Sequence, residues 1–285
     1  PEGQYFLHIK PSFQADFLIG DDQHDIKMQL NEFAFANNRV TGSKDTEILW
    51  EYLAKTNNYN TDIRSLKLES IDTTLTQVQL DNKTQEIKDI ENKKNSFEKD
   101  FLNKHKDTWA GKLITGLIPV ELPYPQPRLI EEYLGNKKFA KDHFFDNIDL
   151  TDIRFWHTNY LDSYIDTYLK DWIDPTPDSV ALAACNLVEK TKGNDICFKE
   201  MLSKLFNKYI TSRTMGDENV WAMLYERYIK DNNISWIDDK QYAEINHAYE
   251  LIKNNRIGMN APNIGLEDLN DEVVNTNAIS ADYLV

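Results

Sequence analysis

The chain has 285 residues, 41% hydrophobic and 12% aromatic, which is enough apolar material for one large or two modest cores and too much for a disordered polymer. Its 47 acidic and 32 basic residues leave a formal net charge of -15, a field that repels a phosphate backbone, so no nucleic-acid partner is expected. No apolar run approaches the roughly eighteen residues of a membrane helix.

The chain starts at Pro1 without a charged-then-apolar leader, and both ends are expected to be cut from a longer protein. Residues 1–42 read as β-structure. The runs Tyr5–Ile9, Ala15–Ile19 and Asp25–Leu30 are short, the last alternates strictly, and Pro11-Ser12 and Gly20-Asp21-Asp22 separate them. Three strands do not make an independent domain, so the rest of the sheet is expected upstream. His8 and His24 fall in this region as isolated histidines with no cluster around them.

From Ser43 the period becomes helical. Ser43-Lys-Asp-Thr-Glu47 supplies capping residues ahead of Ile48, Leu49, Tyr52 and Leu53, and the helix should run past residue 60. A second, strongly charged helix spans 81–107, and its narrow stripe of Ile87, Ile90, Phe97 and Phe101 predicts an exposed element. Trp109–Ile118 is a compact apolar helix closed by Pro119. The stretch Pro119–Pro127 holds four prolines in nine positions and must be an extended connector.

Between Asn136 and Trp172 aromatic residues are densest. Tyr160, Tyr164 and Tyr168 recur every four residues, placing a stripe on one helix face, which core packing explains better than a ligand platform. His143 and His157 have no nucleophile or carboxylate at a spacing that specifies catalysis. Four further helices follow: from Pro177 to Gly193, from Asp195 through Tyr209, from Asp217 through Tyr228, and from Asp238-Asp239 to Lys253. Short connections make them an up-and-down array, and no solenoid period is present. Gly258 and Ala261-Pro262 break the helical pattern, Asn270-Asp271 offers a polar turn between the runs at Leu266 and Val273, and Tyr283-Leu284-Val285 opens another apolar run. A hairpin is expected over this last segment.

Cys185 and Cys197 lie twelve positions apart, matching neither a zinc spacing nor a Cys-x-x-Cys. Two readings stand: a structural disulfide between neighbouring helices, or two buried thiols. No metal, cofactor or catalytic residue is expected in the chain.

The motifs His143-Phe-Phe-Asp-Asn-Ile-Asp-Leu-Thr-Asp-Ile-Arg154, Tyr164–Leu169, Pro177-Asp-Ser179, Lys208-Tyr209 with Thr211-Ser212 and Met215-Gly216, and Trp236-Ile-Asp-Asp239 occur in order. Together they resemble the helical middle region of thioredoxin-like (TlpA-type) thiol-disulfide oxidoreductases of the Gram-negative cell envelope. Gly258-Met-Asn-Ala-Pro262, with Leu266–Val273, resembles the opening of their thioredoxin domain. The resemblance implies a mainly α chain. Its parts would be a partial β-domain at 1–42, an antiparallel multi-helix domain at 43–255 and the start of a thioredoxin-like domain at 256–285. It also implies an exported, periplasmic or outer-envelope protein, with a lipid anchor upstream and protein thiols or disulfides as partners. The family's chemistry belongs to a Cys-x-x-Cys at a thioredoxin helix N-terminus, where the first thiol is activated. Cys185 and Cys197 do not correspond to that motif, so the chain itself is expected to be catalytically silent. Its helical region would position or recognise partners, or form a homodimer surface. The other reading is a scaffold module that recognises a peptide or glycan through the aromatic surface at Trp156, Tyr160 and Tyr164.

Overall fold

In the computed structural model the described residues are 1–10, 13–20, 25–31, 37–72, 74–232, 234–260 and 262–280. The expected turns at Pro11-Ser12 and Asp21-Asp22, together with His24, Ala261 and the run Tyr283–Val285, lie outside them. The chain is mainly helical, 59% helix, with small antiparallel sheets of two strands each, mostly at its ends. It divides into two compact units, Pro1–Tyr168 and Leu169–Val285.

The first unit opens with β1 (Gly3–Lys10) and β2 (Phe13–Ile19), paired antiparallel with Tyr5 opposite Phe17 and Leu7 opposite Ala15. β3 (Lys27–Gln29) pairs with β4 (Arg39–Thr41), a separate sheet. The sequence does not announce β4, because its three residues are too few to show an alternation. Ala15 and Leu18 are buried, and β2 packs against α1 (Lys44–Glu69). Ser43 caps that helix by accepting from the Thr46 amide, and its hydroxyl also donates to the Leu18 carbonyl at 2.9 Å. The Leu18 amide returns a bond to Thr46 Oγ1 at 2.9 Å, and Trp50 Nε1 donates to the Asp16 carbonyl at 2.7 Å. The cap of one element is thereby the edge partner of another, which satisfies groups that burial would otherwise strand.

α2 (Gln77–His105) starts at a capping box on Thr76 and Gln79 and packs beside α1. As its narrow stripe predicts, it is exposed: Phe101 is its one buried residue, and α1 has none past Thr56. Tyr52, Phe97 and Phe101 stack between the two helices, and Tyr52 donates to Glu98 at 3.0 Å. α3 (Trp109–Leu117) is the apolar helix the composition predicts. Its first turn comes so close to the end of α2 that a Cβ on Gly111 would sit 1.9 Å from the His105 carbonyl oxygen, so only glycine fits. The proline-rich stretch after it has no regular structure and is clamped by the buried Asn136. That side chain accepts from the Tyr124 amide at 3.0 Å and donates to the Tyr124 carbonyl at 2.7 Å.

Asn136 lies on α4 (Ile130–His143), a helix the sequence pattern does not announce, because its apolar residues Ile130, Tyr133 and Leu134 are exposed. The unit closes with α5 (Ile153–Trp156) and α6 (Leu161–Thr167), the latter running into a π turn at Tyr168–Trp172 that crosses the unit boundary.

The second unit is built on α7 (Pro177–Lys190), α8 (Asp195–Ile210), α9 (Asp217–Leu224) and α10 (Asp239–Ile252), close to the bounds that the caps and periodicity predict. Thr176 caps α7 with Pro177 just inside it, and Asn194 caps α8. Ala181, Ala184, Cys185 and Val188 give α7 a small-residue face, buried where α8 and α9 pack against it. α9 ends in a second π turn, Tyr225–Ile229. Beyond α10, Asn219 on α9 holds the chain by donating to the Ile257 carbonyl at 3.0 Å. The expected hairpin forms as β5 (Gly265–Glu267) and β6 (Val273–Asn275), Leu266 opposite Val274. Asp271 takes the left-handed turn position at φ 61°, and Asp268 accepts from the Asn270 and Glu272 amides at 2.8 and 3.0 Å. Its apolar residues Leu266, Leu269 and Val273 are exposed.

Candidate functional site

Cys185 lies on α7 and Cys197 on α8, both fully buried, and neither forms a disulfide. Of the two sequence readings, the structure therefore has the buried thiols. Burial pushes the Cys185 thiol up from its ordinary value, with Arg227 pulling weakly the other way. A thiol without access or thiolate character makes no nucleophile. Tyr228 spans the same place, its hydroxyl donating to Glu189 Oε1 at 2.7 Å and reaching the Cys185 carbonyl oxygen at 3.1 Å.

The histidines singled out by the sequence stay apart. His143 is half-buried at the end of α4, stacked on Phe139, with Nδ1 2.7 Å from Asp146. His157 places Nδ1 2.7 Å from the Glu2 carbonyl oxygen, and His8 is exposed on β1. Among the described residues no group of three or more His, Cys, Asp or Glu could hold a metal ion.

The aromatic region of the first unit is a packed cluster. α6 begins at Leu161, so Tyr160 is its cap and Tyr168 already belongs to the π turn. Their rings still meet: Phe144 lies 4.4 Å from Tyr164 and 5.4 Å from Tyr168, and Tyr160 meets Tyr164 edge-on at 6.5 Å. The polar tips are turned inward. Trp156 Nε1 donates to the Leu150 carbonyl at 3.1 Å, Tyr164 to the Phe144 carbonyl at 3.3 Å and Tyr168 to the Lys141 carbonyl at 3.0 Å. Burial pushes the Tyr168 hydroxyl up to about 12, which leaves it neutral over the physiological range. Half-buried rings engaged with one another and with backbone serve packing more than they offer a platform.

What the sequence does not reveal is a pair of clefts in the second unit, meeting at Trp236 in the loop before α10. One, of about 280 Å³, has an apolar floor from Leu202 and Phe206 of α8, Ile229 of the π turn and Ile245 of α10, with the amide side chains of Asn207 and Gln241 and the carboxylate of Glu244 along it. The other, of about 670 Å³, carries Lys192, Lys199 and Arg227 with a single carboxylate lining it, that of Asp195. Its aromatic wall is Phe198, edge-on to Tyr228 at 5.9 Å and to Trp236 at 6.2 Å. Lys199 Nζ sits 5.8 Å from the Trp236 ring centre and Lys192 Nζ 5.6 Å from that of Tyr228. In sequence these cations read as ordinary solvated residues of separate elements. A tryptophan in a short polar loop is the one signal that could have drawn attention to them.

A family model described as a domain of unknown function, DUF5106, matches residues 76–255, from the cap of α2 to just past α10. No curated protein and no solved structure matches the chain.

Proposed function

The chain belongs to the DUF5106 family of domains of unknown function, and on that premise we propose that it is the non-catalytic, partner-positioning region of a thioredoxin-like thiol-disulfide oxidoreductase. In this reading the protein works in the cell envelope after export, held by a lipid anchor upstream. The helical body recognises or orients a protein disulfide for a thioredoxin domain that follows it, either as a monomer or across a homodimer surface. The observation that supports the reading best is the β5–β6 hairpin. It is formed at the place where the resemblance puts the opening of that domain, yet exposes Leu266 and Val273 as though for a further sheet. The buried, unactivated Cys185 agrees with a chain that carries no redox centre of its own.

The scaffold reading through Trp156, Tyr160 and Tyr164 has less behind it, because Trp156 and Tyr164 turn their polar tips to backbone carbonyls and the Tyr160 ring packs against Phe155 and Tyr164. Reading the natural open reading frame past Val285 tests the proposal: a Cys-x-x-Cys within a thioredoxin-length segment is the expected result, and a frame without one would sink it.

A further inference from the structure

The two clefts that share Trp236 in their lining differ in charge, and the cations of one are only partly engaged within the chain. In a protein of net charge -15, Lys199 and Arg227 are exposed, line one cleft and form no ion pair among the described residues, while Lys192 is held by Glu189 at 2.7 Å. Two unpaired cations beside Phe198 and Trp236 form a site for a carboxylate on an apolar body, since charge-assisted bonds strengthen where water is partly excluded. At about 670 Å³ the cleft falls in the size range of ligand pockets. Arg227 offers the planar fork that pairs with a carboxylate through two parallel bonds, and Lys199 adds a point charge.

The neighbouring cleft has a different character. Leu202, Phe206 and Ile245 make its floor aliphatic and aromatic, and Trp236 lines both clefts, so an occupant that extends past the Trp236 ring meets cations on one side and an apolar slot on the other. Separate apolar and acidic groups on one extended backbone are the chemistry of a polypeptide. Asn207 and Gln241 in one cleft and Asn232 and Ser235 in the other offer hydrogen bonds to its amides. An acidic sugar fits less well, because Lys199 already covers one face of Trp236, the surface on which a pyranose would stack.

We propose that the second unit carries a docking trough for an acidic peptide segment, which seats an aliphatic side chain between α8 and α10 and sets a carboxylate against Lys199 and Arg227. That the segment belongs to a disulfide-bearing partner rests on the reading under Proposed function. The trough itself does not, and its test uses no redox readout.

The probe is a labelled peptide in which leucine and glutamate alternate with serine and glycine, titrated onto the whole chain by fluorescence anisotropy. Saturable binding is expected, weakened about fivefold or more by either Arg227→Gln or Lys199→Gln and strengthened by Asp195→Asn, which removes the carboxylate that lines the cationic cleft and leaves Glu244 as the one lining its neighbour. Both cation variants alter exposed side chains, and unchanged melting curves certify their fold. Peptides with glutamine in place of glutamate, or alanine in place of leucine, should bind more weakly, and raised salt should weaken the parent peptide. The proposal is overturned by absence of saturable binding, by equal affinity for the glutamine peptide, by indifference to both cation variants, or by trigalacturonate binding where the peptide does not. A chain that binds the peptide but comes from a reading frame without Cys-x-x-Cys would keep the trough and lose the redox reading.

Discussion

Cys185 decides how the chain's sulfur chemistry is understood. Because burial raises its pKa, the neutral thiol contributes to stability in full below its ordinary value of 9.0, and the contribution is lost as pH rises through the higher folded value. Chemical denaturation between pH 7 and 10.5 should therefore show a steeper alkaline loss for the parent than for Cys185→Ala. The variant should itself cost about 1 to 2 kcal/mol at neutral pH from the small cavity it leaves. Thiol reagents should label neither cysteine at an appreciable rate until the protein unfolds. Asp152 is the acid-side counterpart. Burial raises its carboxyl, but bonds from the Arg154 side chain and backbone amide outweigh that and hold it below its ordinary value of 3.8. Its contribution is present above that value and fades as pH falls through the lower folded one. The bidentate contact, 2.9 Å to Nε and 2.6 Å to Nη2, also steadies Arg154 over the Trp109 ring. Asp152→Asn should cost about 1 to 2 kcal/mol at pH 7, a gap that urea titration should find closing below pH 4.

Elements were legible wherever a cap and an apolar period coincide. Ser43 before Ile48 and Leu49, Thr176 with Pro177, and Asn194 before the α8 stripe each announce a helix that forms. α4 escaped because its period points outward: Ile130 is 78% exposed, and the residue that anchors the helix is the polar Asn136. β4 is too short to alternate, and the π turns follow from tertiary packing that no local pattern encodes. The cations of the trough come from the turn after α7, from α8 and from a π turn, so only the fold brings Lys192, Lys199 and Arg227 together. Two substitutions test the element account. Gly111→Ala must push α3 away from the His105 carbonyl, and a loss of about 2 kcal/mol or more is expected from thermal melts, with the helix content of the melt baseline retained. Thr76→Ala removes the capping box of α2 at an exposed position, where about 1 kcal/mol should be lost and Thr76→Ser should restore most of it.

Across the whole molecule, the family region, residues 76–255, takes in α2 to α10 and leaves out α1, β1–β4 and the β5–β6 hairpin. The helical body is thus the recurring part, and in our reading the flanking strands connect it to what lies on either side. In the function proposed above, this body positions protein substrates for a redox centre placed elsewhere in the same polypeptide. The most direct measurement compares the natural full-length protein with its Lys199→Gln/Arg227→Gln variant, using reduction of insulin disulfides and of a small aromatic disulfide as parallel substrates. The expected result is that kcat/KM for insulin falls several-fold in the variant while the small disulfide is reduced equally well, and that the present chain alone reduces neither. Equal turnover of insulin by the two full-length forms, or any turnover by the present chain, would contradict it.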